Sequence, residues 1–126
     1  MVRISVMQGV PAGFPQKIGA VVYRRTMVDT IQVPPGDKFR VLTGQDRDHL
    51  VYDPEYLGIA RIDGVVVIQV ALNKGLTTDM KKLLCRALAE GLHRDLGVRM
   101  EDVSISLVEV KKENWSFGNG VAQYAE

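Results

Sequence analysis

Residues 64–72 read Gly-Val-Val-Val-Ile-Gln-Val-Ala-Leu, and this stretch decides the fold. It is rich in β-branched residues, has strand length and is interrupted only by Gln69, so it reads as the most buried strand of a sheet. Directly after it, Thr77 or Thr78 can cap a helix. That helix carries an apolar face at Met80, Leu83, Leu84, Ala87, Leu88 and Leu92. Gly97 is placed to stop it in a left-handed cap. Val103 to Val110 (VSISLVEV) then alternates apolar and polar residues, the period of a half-buried strand.

The first half of the chain repeats this plan. Val2 to Met7 (VRISVM) alternates as a strand until Gly9, Pro11 and Gly13 break it. From Pro15 to about Ile31, apolar residues at Ile18, Val21, Val22, Met27, Val28 and Ile31 recur at mostly three- and four-residue intervals, which predicts a helix. Pro15 suits its first turn, where the missing N–H costs nothing. Pro34-Pro35-Gly36 ends it, and Phe39 to Leu42 returns to strand character.

Each half is thus strand, long helix, strand, with helices long enough for parallel crossovers. Together they predict an α+β domain built from α/β-type units: a duplicated β-α-β arrangement with a four-stranded sheet and two helices on one face. Pseudo-repeats span about 1–43 and 64–110, followed by an arm over 111–126. Val33-Pro-Pro-Gly-Asp37 and Val98-Arg-Met-Glu-Asp102 both follow a helix and precede a strand, and Leu42 falls in step with Leu107. Between the halves, Thr43 to Asp63 reads as a charged surface excursion with a short strand near Leu50 to Tyr52. The arm contains Trp115, Phe117, Gly118, Gly120 and Tyr124, too apolar for a solvated tail. Helices on one face leave the other sheet face bare, and association of several copies, sheet against sheet, is the expected remedy.

Composition narrows the function classes. The chain has 126 residues, 46% apolar and 25% charged, which suits one ordinary globular domain. A net charge of +1 without a basic block gives no nucleic-acid or anionic-membrane footprint. No apolar run approaches the ~20 residues of a membrane helix, and none at the start reads as a signal peptide. The single cysteine, Cys85, excludes an internal disulfide and suits a cytoplasmic setting. Two histidines and one cysteine without close pairing do not make a structural zinc site.

The segment Glu113-Asn-Trp-Ser-Phe-Gly-Asn-Gly120, preceded by Leu107-Val-Glu109, resembles the C-terminal signature of the malonate semialdehyde decarboxylase-like branch of the tautomerase superfamily. Leu96-Gly-Val-Arg-Met-Glu-Asp102 before a Val/Ile strand is similar to the same branch. So is Asp37-Lys-Phe-Arg-Val41, followed by a loop reaching Tyr52-Asp53-Pro54. The likeness spans nearly the whole chain and is weakest before Gly9. It implies a homotrimer acting on small 2-oxo or 3-oxo acids by enolisation, hydration or decarboxylation, with no metal or organic cofactor. It also implies an N-terminal proline whose secondary amine, in an apolar pocket beside cations, has a lowered pKa, and arginines that hold the substrate carboxylate.

Two departures stand against that pattern. The sequence begins Met1-Val2-Arg3-Ile4, with no proline at position 2, and Met1 falls just inside the place where the proline would stand. In Asn73-Lys74-Gly75-Leu76, a leucine stands where the branch commonly has arginine. Lys74 remains, a point charge rather than a planar fork. Asp37 matches the acidic residue that decarboxylases of the branch use, and Trp115 and Phe117 match its pocket aromatics.

The candidates therefore carry two readings each. The α-amino group of Met1, or of Val2 if Met1 is removed, is a displaced catalytic group or a plain terminus. An unperturbed α-amino group titrates near ~7.7–8 and can act as a base or form a Schiff base with an oxo acid. Lys74 is a carboxylate anchor or a solvated turn lysine. Asp37 orients water or caps a turn, and Asp102, its repeat counterpart, reads as a local turn residue. Arg40 and Arg3 are sources of missing positive charge or solvent-facing strand residues. Trp115, Phe117 and Tyr124 wall a pocket or pack an interface. Cys85 reads as core, and His49 and His93 as surface residues. The sequence favours a weak or altered keto–enol tautomerase, with a non-catalytic trimer that binds a small carboxylate or a protein as its rival.

Overall fold

The computed structural model describes residues 1–24 and 39–125. Strand β1 (Val2–Met7) is followed by helix α1 (Phe14–Val22), β2 (Arg40–Gln45), β3 (Val66–Asn73), helix α2 (Thr78–Leu96) and β4 (Val103–Val110). The sheet order is β2-β1-β3-β4. β1 runs parallel to β2 and β3 parallel to β4, while β1 and β3 meet antiparallel with Ile4 opposite Ile68. The two expected β-α-β units form, and they join back to back through their first strands, a junction that the sequence pattern does not specify. The later part of the expected first helix, with Met27, Val28 and Ile31, and the Pro34-Pro35-Gly36 break lie outside the described residues.

Both helices pack on one sheet face. Val2, Ile4 and Val6 of β1 and Val66, Ile68, Val70 and Leu72 of β3 point into a core shared with Ile18, Val21 and Val22 of α1 and Leu84, Leu88 and Leu92 of α2. Leu42 and Leu107 close this core from the edge strands. Burying such side chains contributes about 1.5–3 kcal/mol each, which is why the alternation of the strands fixes their orientation. Thr77 caps α2 by accepting the N–H of Met80, and Gly97 ends it at φ 69°. Gly19 sits mid-helix at a cost in propensity because a β-carbon there would stand 3.2 Å from Cδ of Arg40.

Three expectations need correction. Met80 (38%) and Leu83 (59%) are exposed rather than part of the packed face of α2, which is narrower and centred on Leu84, Leu88, Gly91 and Leu92. No strand forms at Leu50 to Tyr52. Leu50 is buried instead against Met7 and Val65, with Tyr52 beside them. The excursion is knitted by side chains: Arg61 donates to the carbonyls of Asp53, Tyr56 and Ile59, and Tyr52 donates to Asp63 at 2.7 Å. Finally, the helix-free face is more polar than the strand composition suggests. Arg3, Ser5, Thr43, Gln69, Ser104 and Ser106 share it with Val41, Val67 and Val108, because most of the apolar residues turn toward the helices.

Asp102 is buried at 3% exposure and does more than shape a local turn. Its carboxylate accepts the N–H of Ile62, so it ties the excursion to the start of β4.

Candidate active site

Antiparallel pairing of β1 with β3 continues one residue past the strand, to Met1. The nitrogen of Met1 donates to the carbonyl of Ala71 at 3.0 Å, and the Ala71 N–H returns a bond to the Met1 carbonyl at 2.8 Å. On the other side, the Val2 N–H donates to the Phe39 carbonyl at 2.9 Å. Residue 1 is therefore clamped between the start of β2 and the end of β3. The side chain of Val2 is committed to the core.

At this end of the sheet an aromatic wall assembles. Phe39 precedes Arg40 on β2, so its side chain leaves the helix-free face while Arg40 leaves the other. The ring of Phe117 lies 5.4 Å from that of Phe39 and 5.4 Å from Trp115, on which it stacks nearly parallel. Tyr124 meets Phe117 edge-on at 5.1 Å. Offset and edge-on pairs of this kind add about 0.5–1.5 kcal/mol beyond their buried area. The arm that carries these rings is shaped locally: Gln123 accepts the N–H of Phe117 and donates to the carbonyl of Gly118. It is not a tail.

Asn73, the last residue of β3, joins the arm to the sheet. Its side-chain oxygen accepts the indole N–H of Trp115 at 2.6 Å. Because an indole nitrogen only donates, this contact also fixes which way the amide points. Lys74 follows directly, and its own N–H bonds the carbonyl of Val110 at 2.9 Å. Next to it, Glu109 ion-pairs with Lys81. The hydrogen bond from Lys81 holds the Glu109 carboxyl below the usual carboxylate range, and the Lys74 charge pulls the same way.

The structure thus gathers Met1, Lys74, Trp115, Phe117 and Tyr124 at one end of the sheet. Asp37 lies outside the described residues. Arg40 stands apart from the group: its guanidinium lies 5.4 Å from the centre of the Tyr23 ring, against α1. Arg3 projects from the helix-free face and is exposed. Phe39 and Asn73 join the site although the sequence marks neither as a site residue. The available signal was positional: Asn73 is a polar side chain ending an apolar strand, and Phe39 immediately precedes β2. Leu76, in the same turn as Lys74, packs against the main core.

Remaining candidates sit elsewhere. Burial pushes the Cys85 thiol up, which lowers its thiolate fraction and makes it a poor nucleophile. His49 contacts Asp46 in the excursion, and His93 contacts the carbonyl of Val98 after α2. Among the described residues, no group of three His, Cys, Asp or Glu could hold a metal ion, and no helix is long and apolar enough to cross a membrane.

Comparison with known proteins identifies the family and the fold. The sequence profile of a family described as tautomerase enzymes matches residues 37–118. The chain is 38% identical over 125 residues to a probable tautomerase, YusQ, of Bacillus subtilis (strain 168), covering 99% of this chain and 98% of that protein. It is 27% identical to YrdN, a second probable tautomerase of the same organism, covering 98% and 95% of the two chains. Among solved structures, FG41 malonate semialdehyde decarboxylase inhibited by 3-bromopropiolate superposes with a TM-score of 0.90 at 31% identity, over 98% of this chain and 93% of that one.

Proposed function

The chain belongs to the tautomerase enzyme family, and on that premise we propose that it interconverts the keto and enol forms of a small oxo acid without a cofactor. The observation that supports this reading is the convergence of the Met1 nitrogen, the Asn73-Lys74 turn and the aromatic wall at one end of the sheet. In the ketonising direction the Met1 ammonium delivers a proton to the carbon next to the enol, and the proton that the enol hydroxyl releases as the carbonyl forms returns to the Met1 amine through water. The two transfers leave the charge of the amine unchanged overall. Lys74 holds the substrate carboxylate as a point charge. Trp115, Phe117 and Tyr124 keep water from the reacting carbon, and Asp37 orients the amine or a water. If Met1 is removed, Val2 carries the amine instead, set back by ~3.3 Å along the strand. The working form is a homotrimer whose helix-free sheet faces meet.

Decarboxylation, the reaction named for the solved relative, ranks below tautomerisation here. Lys74 is the one cation in the 73–76 turn, and Leu76 is packed against the core. That same packing favours a second reading, a trimer that binds a small carboxylate without turning it over.

An ultraviolet assay of phenylenolpyruvate ketonisation separates the two. Turnover above buffer that disappears when the terminal amine is chemically blocked supports the tautomerase. A correctly folded protein without turnover leaves the binding reading. Intact mass on the same sample establishes which residue carries the amine.

A further inference from the structure

We infer that Asn73 is a positioning residue: its side-chain oxygen latches the indole of Trp115 and so sets the aromatic wall against the carboxylate-binding turn. The role of that wall rests on the proposed function above; the latch itself does not.

Trp115 is half-buried, and a half-buried indole N–H needs an acceptor. Asn73 supplies one at 2.6 Å across 42 residues of sequence. The acceptor is held rigidly, because Asn73 ends β3 in register with Val110 of β4. The N–H of Lys74 fixes the next peptide to the carbonyl of Val110. The backbone on both sides of the Asn73 side chain is thereby tied to the sheet edge, and the residue that follows is the proposed carboxylate anchor. On the arm, the indole stacks on Phe117, which in turn touches Phe39 and Tyr124. One hydrogen bond therefore sets the depth and tilt of the indole on which Phe117 stacks, and Phe117 passes that placement on to Phe39 and Tyr124. Without it, the aromatic wall keeps its ring contact with Phe39, and ring contacts tolerate sliding far better than a directional bond does.

Trp115 is the only tryptophan in the sequence, so its spectroscopy reads the latch directly. In the wild-type chain, the indole N–H resonance should exchange slowly with solvent. In Asn73→Ala, exchange should rise by about fivefold, the worth of one neutral hydrogen bond, and acrylamide quenching of the tryptophan emission should rise with it. Asn73→Asp keeps an acceptor oxygen and should restore the wild-type signature. The KM for phenylenolpyruvate should rise by a similar factor in Asn73→Ala, with kcat little changed. Should the wild type lack turnover, the dissociation constant for phenylpyruvate from calorimetry replaces KM. Equal indole exchange and quenching in wild type and Asn73→Ala would overturn the latch. Altered spectroscopy with unchanged KM and unchanged binding would overturn its positioning role. A wild type that neither turns over nor binds phenylpyruvate removes the proposed function, while the exchange measurement still decides the latch.

Discussion

The carboxylate of Asp102 accepts the backbone N–H of Ile62 at 3.0 Å, across 40 residues of sequence. The same oxygen lies 3.5 Å from the guanidinium of Arg99, which also donates to the carbonyl of Ala60 at 3.1 Å. The other oxygen approaches Gly64 so closely that a β-carbon there would stand at 3.4 Å. A buried carboxylate thus fastens residues 60–64 just ahead of β3. Asp102→Ala should destabilise the protein by about 2 kcal/mol, because a charged acceptor is lost and the Ile62 N–H loses its partner. Urea unfolding measures this, and a change under about 0.5 kcal/mol would show the excursion to be independent of the clamp.

Helix α2 offers an internal contrast. Leu84 is fully buried, whereas its neighbour Leu83 is 59% exposed. Leu84→Ala should cost about 3 kcal/mol through lost burial and the cavity it leaves. Leu83→Ala should stay within about 0.5 kcal/mol. Equal losses by thermal or urea unfolding would mean that a further surface covers the outer face of α2.

Why the sequence misplaced Leu83 is instructive. Period counting assigns a stripe to every apolar residue within reach of a face, but the width of that stripe is set by what the helix packs on. Here α1 and the sheet contact a strip narrow enough to include Gly91 and exclude Leu83. Strand identity, the turn at Gly97 and the cap at Thr77 were legible because each depends on local chemistry. The strand expected at Leu50 to Tyr52 was not: Leu50 is apolar because it meets Met7 and Val65, a contact no local pattern encodes. The site divides the same way. Trp115 and Phe117 stood out by type, while Asn73 acquires its role only when β3 and the arm are brought together.

Lys74→Ala tests the proposed anchor. Losing a charge-assisted bond to a carboxylate should weaken binding of phenylpyruvate by about tenfold or more. Lys74→Arg should retain most of the affinity. A titration in which Lys74→Ala binds like the wild type removes this residue from the site.

The Lys81–Glu109 pair gives a prediction in pH. The folded pKa of Glu109 is lowered by its hydrogen bond from Lys81. Its stabilisation is therefore present above the unfolded carboxylate range and is lost as pH falls through the folded value. Because the pair is at the surface, the effect on stability should be small and screened by salt. Carboxyl chemical shifts across an acid titration should place Glu109 below an ordinary glutamate, and Lys81→Met should return most of the way to it. A midpoint that ignores Lys81→Met would show that the ion pair is not kept in solution.

The helix-free sheet face carries the proposed self-association, and Val67 is the residue to change. It lies on β3, paired with Ser5 of β1 and Ser104 of β4, and is 40% exposed, with no helix above it among the described residues. Val41 (40%) and Val108 (38%) share the face, so its apolar character comes from scattered valines set among serines, threonine, Gln69 and Arg3. Such a surface is too polar to demand cover on its own, but the small polar side chains let another sheet approach closely and hydrogen-bond. A charge at its centre would then be buried without a partner, at a cost of several kcal/mol in each subunit. In a lone chain the same charge would be solvated and nearly neutral. Val67→Lys should therefore shift the mass measured by light scattering from three chains to one, while the far-ultraviolet spectrum stays that of a folded protein. A wild type that already measures as a single chain, or a Val67→Lys protein with unchanged mass, would rule out this face as the interface.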